Sequence, residues 1–321
     1  MNALFSAKNR INESLKWGQN FSLFKMGFPP ALDYWETVLT ARIIKKLGKK
    51  IQSSPDEWVV IVKKLWTIPS SASLLAKRIS SNLKISNVYI ETLMPDSKLG
   101  EGYYATLSNK KERLRALQGK ITLSNSELVK GKKIIFIDDS YLSGITLGEI
   151  KKTVMNAHAN SFHSFLLADL SKVKDYSQED VLNRAALHTH DKVTLFLKVL
   201  NNRKVIYTAK LICYISELKN EELKKMCDRL TDTGKVNLYF YTILKKKWNV
   251  LSVLLKSKLK NTSYVLQPVD TKNGDGMKKI DRVVRNILIT HNFKIAPNHL
   301  RATLQHITKD LHRKAVKKKA L

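Results

Sequence analysis

Apolar and polar positions follow two regimes along the chain. Over the first 57 residues the apolar ones recur at helical spacing. "LDYWETVLTARIIKKLGKK" sets Leu32, Trp35, Val38, Leu39 and Ile43 on one face, so residues 1–57 read as an N-terminal helical segment. The cluster "SSPDE" breaks that period, and the continuous run "WVVIVKKLW" that follows reads as a buried strand. Helical and strand patterns then alternate. "IPSSASLLAKRISSNL" predicts a helix, "ISNVYIETL" a strand, "KKIIFIDD" a strand, "GITLGEIKKTVMNAHA" a helix and "SFHSFLLADL" a strand. Apolar runs separated by helices predict an α/β domain around a parallel sheet, because a parallel pair needs a crossover and both sheet faces are then covered. Met94 to Lys130 is polar and basic with no strong period, and reads as a long loop, either functional or disordered. Beyond about Asp180 the pattern turns helical and lysine-rich. The predicted organisation is 1–57 helical, 58–178 α/β, and 179–321 a mostly helical basic domain.

Charge changes this picture most. Against 27 Asp and Glu stand 57 Lys and Arg, a net +30, and residues 181–321 hold 30 basic against 10 acidic residues, +20 of that total. A polyanionic partner is expected, since lysines that neutralise phosphates release condensed counterions. Tyr239, Phe240, Tyr241 and Trp248 lie among those lysines, a composition suited to tracking a nucleic-acid backbone while stacking on bases. "IDRVVRNILITHNFKIAPNHLRATLQHI" reads as two helices joined by a turn, which either packing or a helix-turn-helix explains. Cys213 and Cys227 match no metal or disulfide spacing and read as structural thiols in a reducing compartment. No apolar stretch is long enough for a membrane span and no secretory h-region is present, so a soluble cytoplasmic protein is expected. His158, His163, His188 and His190 form no recognisable zinc set, although "HTH" at 188–190 puts two rings on one face of a strand.

The most specific chemistry lies in "IIFIDDSYLSGIT", where a strand runs into two carboxylates and the chain turns through Ser143 and Gly144 into a helix starting near Thr146. A Ser-Gly-x-Thr turn that opens a helix offers backbone N–H groups, two hydroxyls and the positive end of the helix dipole to a phosphate. Two carboxylates beside an anion site serve a different group: a vicinal diol, or a divalent metal bridging diol and phosphate. Together they specify a phosphorylated sugar. The plainer reading of the same residues is an acidic strand end followed by a helix cap.

This stretch resembles the phosphoribosyl pyrophosphate (PRPP) motif of the type I phosphoribosyltransferases, with Asp138 and Asp139 as the acidic pair and Ser143-Gly144-Ile145-Thr146 as the turn. The resemblance implies that Asp138 and Asp139 hold the ribose hydroxyls as the catalytic pair, with Mg²⁺ meeting them indirectly through the ligand. It also implies that Leu142, Ser143, Gly144, Ile145 and Thr146 hold the 5-phosphate. "WVVIVKKLWTIPSSASLLAKRISSNLKI" resembles the first strand, pyrophosphate loop and next helix of that fold, which assigns Lys63, Lys64 and Trp66 to pyrophosphate. "YYATLSNKKERLRALQGKITLSNSELVKGKKIIFIDD" resembles the hood loop in a ComF-like layout, with Lys110, Lys111, Arg113 and Arg115 covering the diphosphate and excluding water. Leu142 departs from the pattern: several nucleobase-using members have an aspartate three residues after the acidic pair.

Two functional readings follow. One is a phosphoribosyltransferase that uses PRPP and Mg²⁺, with a basic C-terminal region that engages nucleic acid or a nucleoprotein. The other is a non-catalytic PRPP or nucleotide sensor that regulates a nucleic-acid target. Leu142 and the charge favour the sensor; the acidic pair and the basic hood favour the enzyme. By analogy, the effector of a bacterial defence module fits both.

Overall fold

Alternating residues of the central strands explain why the sheet sits where it does. The structure, a computed structural model, describes residues 2–6, 11–63, 69–92, 110–171, 177–202 and 204–231, with 234 and 238. Within it β2 (Trp58–Lys63), β3 (Ser86–Thr92), β5 (Lys133–Tyr141) and β6 (Ser161–Asp169) run parallel. Val59 and Ile61 of β2 join Ile134 and Phe136 of β5 in one buried cluster, which Ile150 and Val154 of helix α5 (Ile145–Asn156) cover. Trp58, Val60, Val62, Ile135 and Ile137 point the other way and are equally buried. Both faces are therefore dry, which is why these strands read as unbroken apolar runs rather than as alternation.

With β1 (Asn2–Ser6) and β4 (Ile121–Leu123) at the two edges, the sheet order is β1-β6-β5-β2-β3-β4. From β2 the chain passes through α3 (Ser71–Asn82) to β3 on one side, and later returns to lay β5 on the other side of β2. The strand order thus reverses between β2 and β5. Crevices at the carboxyl ends of strands, at such a reversal, are where open α/β sheets bind ligands.

Two expectations are corrected. Residues 2–6 belong to no helix: Asn2–Ser6 form β1, which pairs parallel to β6 from Asn2↔Phe165 to Ser6↔Asp169. The edge of β6 supplies backbone partners that a short segment meets more readily than it forms a helix, whose first turn is costly to nucleate. The stretch expected as an unstructured loop contains α4 (Lys110–Leu117) and β4 (Ile121–Leu123). β4 runs antiparallel to β3 from Ile121↔Thr92 to Leu123↔Ile90, and α4 packs against α5.

The predicted helical face at the N-terminus is present. α1 (Ile11–Lys25) and α2 (Pro29–Ser53) follow β1, with Pro29 and Pro30 opening α2, where a missing N–H costs nothing. Leu32, Trp35, Leu39 and Ile43 are buried and Val38 is half-buried. Trp17 stacks on Phe21 at 5.2 Å, and both rings meet Trp35 edge-on, at 5.4 and 6.5 Å between centroids. Such pairs add to the area they bury.

Two compact units divide the chain: residues 1–190 with 208–211, and residues 191–207 with 212–321. The first contains the sheet, α1 to α5, α6 (Ser177–Asn183) and α7 (Ala185–Thr189). In the second, α8 (Lys192–Leu200) packs with a later helix, Asn220–Arg229, and Val193, Phe196, Leu223, Met226 and Cys227 are buried. Tyr239, Phe240, Tyr241, Trp248 and the two-helix pattern beyond residue 280 lie outside the described residues. No described helix is long and apolar enough to cross a membrane.

Candidate functional site

Register places the first pair of site residues. β2 pairs with β5 from Trp58↔Lys133 to Ile61↔Phe136, so two positions on, Lys63 comes opposite Asp138. On its other side β5 stays paired with β6 as far as Tyr141↔Asp169. From Ile137 onward β5 has no ladder pair on the β2 side among the described residues while the β6 side is still held, and the acidic pair sits there at the sheet reversal.

Successive strand residues face opposite sides. Asp138 shares the face of Ile134 and Phe136 and accepts from Lys63 Nζ at both oxygens, 2.7 and 2.6 Å. Asp139 shares the face of Ile135 and Ile137 and is ion-paired with Lys25, the last residue of α1. The backbone N–H of Asp139 donates to Asp138 Oδ1 at 2.9 Å. The Ser140 hydroxyl is placed between two carboxylates, 3.1 Å from Asp139 Oδ1 and 3.0 Å from Glu179 Oε1 on α6. Asp138 is 6% exposed and Lys25 is 7% exposed. Charges buried this deeply persist only when paired.

The electrostatics separate the two acids. Burial pushes the Asp138 carboxyl above its ordinary range, against the pull of Lys63. Burial also works against ionised Asp139, but the charges of Lys25 and Lys63, with hydrogen bonds from Lys25 and Ser140, outweigh it and hold that carboxyl at about 2. For Lys63, burial is outweighed by Asp138, Asp139 and Glu179, which keep the ammonium above its ordinary value.

The turn after the acids passes through a left-handed glycine directly into a helix. Gly144 adopts φ +72° and caps α5 with no side-chain hydrogen bond. A left-handed residue here is cheap only for glycine. The Tyr141 ring lies against it: a Cβ at position 144 would come within 2.5 Å of the Tyr141 hydroxyl. Ile145 turns inward and is buried, while Leu142, Ser143 and Thr146 stay half-buried beside the turn. The strand runs two residues past the acids, to Tyr141, and the helix starts at Ile145, so only Leu142, Ser143 and Gly144 form the turn between them.

Among the expected pyrophosphate residues, Lys63 lies on the acidic pair; Lys64 and Trp66 lie outside the described residues, as does the rest of 64–68. Lys110, Lys111, Arg113 and Arg115 fall on α4, with Lys111 and Arg115 exposed. His188 lies in helix α7, so His188 and His190 do not share a strand face. Cys213 is half-buried, Cys227 is buried and both are free thiols. Lys25, Ser140 and Glu179 were not picked out by the sequence. Lys63–Asp138 is readable once the two strands are aligned; nothing near residue 25 points to residue 139.

No protein-family model and no curated protein matches the chain. A likeness exists among solved structures. A purine phosphoribosyltransferase from Pyrococcus horikoshii Ot3 aligns at 17% identity and a TM-score of 0.26, over 42% of this chain and 83% of that one. A likeness of that size adds no weight to the functional reading, which rests on the site.

Among the described residues no three His, Cys, Asp or Glu side chains gather into a metal site. Both carboxylates of the acidic pair already hold an ammonium group, so a divalent ion bound directly on them does not fit this arrangement.

Proposed function

We propose that this site binds a phosphorylated sugar through its vicinal diol and its phosphate, and that the chain is a phosphoribosyltransferase-like protein with PRPP, or a related phosphoribosyl nucleotide, as its ligand. The supporting observation is the acidic pair at the carboxyl end of β5 at the sheet reversal, five residues before the left-handed Gly144 that opens α5. The diol donates to Asp138 and Asp139, and the 5-phosphate takes the N–H groups and hydroxyls of the Ser143–Thr146 turn. In the transfer reading, the bond from the sugar C1 to pyrophosphate breaks with its electron pair leaving on the pyrophosphate. A lone pair of the acceptor, a nucleobase, an amine or a group on a macromolecule, then closes on C1. Basic residues of the 110–115 segment stabilise the leaving group in that reading. Mg²⁺ would be held through the ligand rather than on the carboxylates of Asp138 and Asp139, and would offset the ligand's negative charge. The basic C-terminal region is assigned to nucleic acid or a nucleoprotein, which also fits an effector of a defence module.

Leu142 favours a second reading, in which the same site senses PRPP without turning it over: a leucine at the turn supplies no proton acceptor for a base. Calorimetry with PRPP, ribose 5-phosphate and 2-deoxyribose 5-phosphate tests the ligand class. Ribose 5-phosphate is expected to bind at least about tenfold more tightly than the deoxy sugar, because a site built for a hydroxyl is left with an unmet acceptor when it is missing. Asp138→Asn with Asp139→Asn is expected to abolish binding, and Gly144→Ala to weaken the phosphate contact by displacing Tyr141. If neither PRPP nor ribose 5-phosphate binds the wild type, both readings fall. Pyrophosphate release in the presence of acceptors separates enzyme from sensor.

A further inference from the structure

Neither lysine that meets the acidic pair belongs to the motif that marks it. They arrive from separate elements, Lys63 from the end of β2 and Lys25 from the end of α1, 75 and 114 positions from their partners. The anchoring of Lys25 goes well beyond a surface ion pair. Its backbone carbonyl accepts from the Thr208 hydroxyl at 2.7 Å, its ammonium lies 5.8 Å from the centre of the Phe21 ring, and α1 is tied at Ser22 to the Asn183 carbonyl at 2.7 Å. The ammonium is therefore delivered to Asp139 by packing that would persist without the ion pair.

The charge balance follows. Two ionised aspartates alone present −2 to an incoming ligand that is itself a polyanion; with Lys25 and Lys63 the four side chains sum to zero. Acceptor capacity survives this pairing. Each carboxylate offers about four acceptor positions. Among the described residues Asp138 uses three, two for Lys63 and one for the Asp139 N–H, and Asp139 uses two, for Lys25 and Ser140. About three remain, enough for both hydroxyls of a diol with the lysines in place.

We propose that Lys25 and Lys63 are built-in counter-cations of the acidic pair, so that Asp138 and Asp139 receive a sugar diol with no divalent metal ion on their carboxylates. This deepens, and rests on, the reading of the site as one for a phosphorylated sugar. Lys25 acts as a positioning residue: it orients Asp139 and removes the repulsion a phosphorylated ligand would otherwise meet.

The first test needs no sugar. Full-length wild type is titrated with Mn²⁺ by calorimetry, beside Asp138→Asn and the double variant Lys25→Met, Lys63→Met. The expected result is no Mn²⁺ binding that depends on Asp138 in the wild type, and a gain of at least about tenfold in Mn²⁺ affinity when both lysines are removed and the carboxylates are unmasked. Mn²⁺ binding by the wild type that Asp138→Asn abolishes overturns the proposal, whether or not any sugar binds. In the second test ribose 5-phosphate, which has no diphosphate to carry a metal, is titrated in Mg²⁺ and in EDTA. Wild-type affinity is expected to agree within about threefold, with Lys25→Met at least about tenfold weaker and Lys25→Arg close to wild type. Loss of binding in EDTA overturns the proposal. Circular dichroism reports whether Lys25→Met folds, and Lys63→Met, at a half-exposed position, gives the same comparison where it does not. Failure of every sugar to bind removes the functional reading and leaves the Mn²⁺ titration to decide the role of the lysines.

Discussion

Asp139 shows how one side chain ties the site to the stability of the fold. Its carboxyl is held at about 2, against an ordinary value of 3.8, because Lys25 and Lys63 favour the ionised form more than burial opposes it. A group whose pKa is depressed by folding stabilises the folded state above the unfolded value, and that stabilisation is lost as pH falls towards the folded value. The stability gap between wild type and Asp139→Asn is therefore expected to shrink by on the order of 1–2 kcal/mol as pH drops from about 4 to about 2, read by urea unfolding at each pH. Parallel stability curves over that window would rule out the pairing. Asp138, raised by burial, takes up its proton at higher pH and contributes with the opposite sign. At this scale the sequence showed what is contiguous. Asp138, Asp139, Ser143, Gly144 and Thr146 lie within nine residues, so strand, carboxylates and turn declare themselves together. Lys25 and Glu179 become visible only when α1 and α6 are placed beside β5.

Among the elements, α1 matters most to the site because it ends on Lys25. Trp17 and Phe21 pack it on Trp35 of α2, and it also packs on α6 and α7, where Ser22 donates to the Asn183 carbonyl. Trp35 is 1% exposed and its indole N–H has no hydrogen-bond partner among the described residues, so its contribution there is packing. Trp35→Ala is expected to cost about 3–5 kcal/mol in chemical unfolding. Trp35→Phe retains most of the ring contact and should cost clearly less; equal costs for the two would show that the cluster does not hold α1. The long strands and α2, α3 and α5 were legible because each repeats its period over nine residues or more or forms an unbroken apolar run. β1, α4 and β4 were not. β4 spans three residues and has no room for a period, and α4 is mostly charged residues of good helix propensity with no apolar stripe.

For the whole molecule, charge is the property that reaches furthest. In the first unit the exposed end of α2 carries Lys45, Lys46, Lys49 and Lys50, where the helix dipole favours cations. The chain as a whole carries +30. Binding to generic duplex and single-stranded nucleic acid is expected to weaken by about a thousandfold between 50 and 200 mM salt if some six phosphates are neutralised. A salt-independent affinity, or none, would leave the charge as surface composition. The sequence by itself determined the net charge, the alternation of strands and helices, and the carboxylate-turn-helix stretch, because each is written in neighbouring residues. Tertiary structure alone decided the strand reversal beside β5 and the lysine that each aspartate receives. Those depend on contacts between residues 75 and 114 positions apart, which only sheet register and helix packing bring within hydrogen-bond reach.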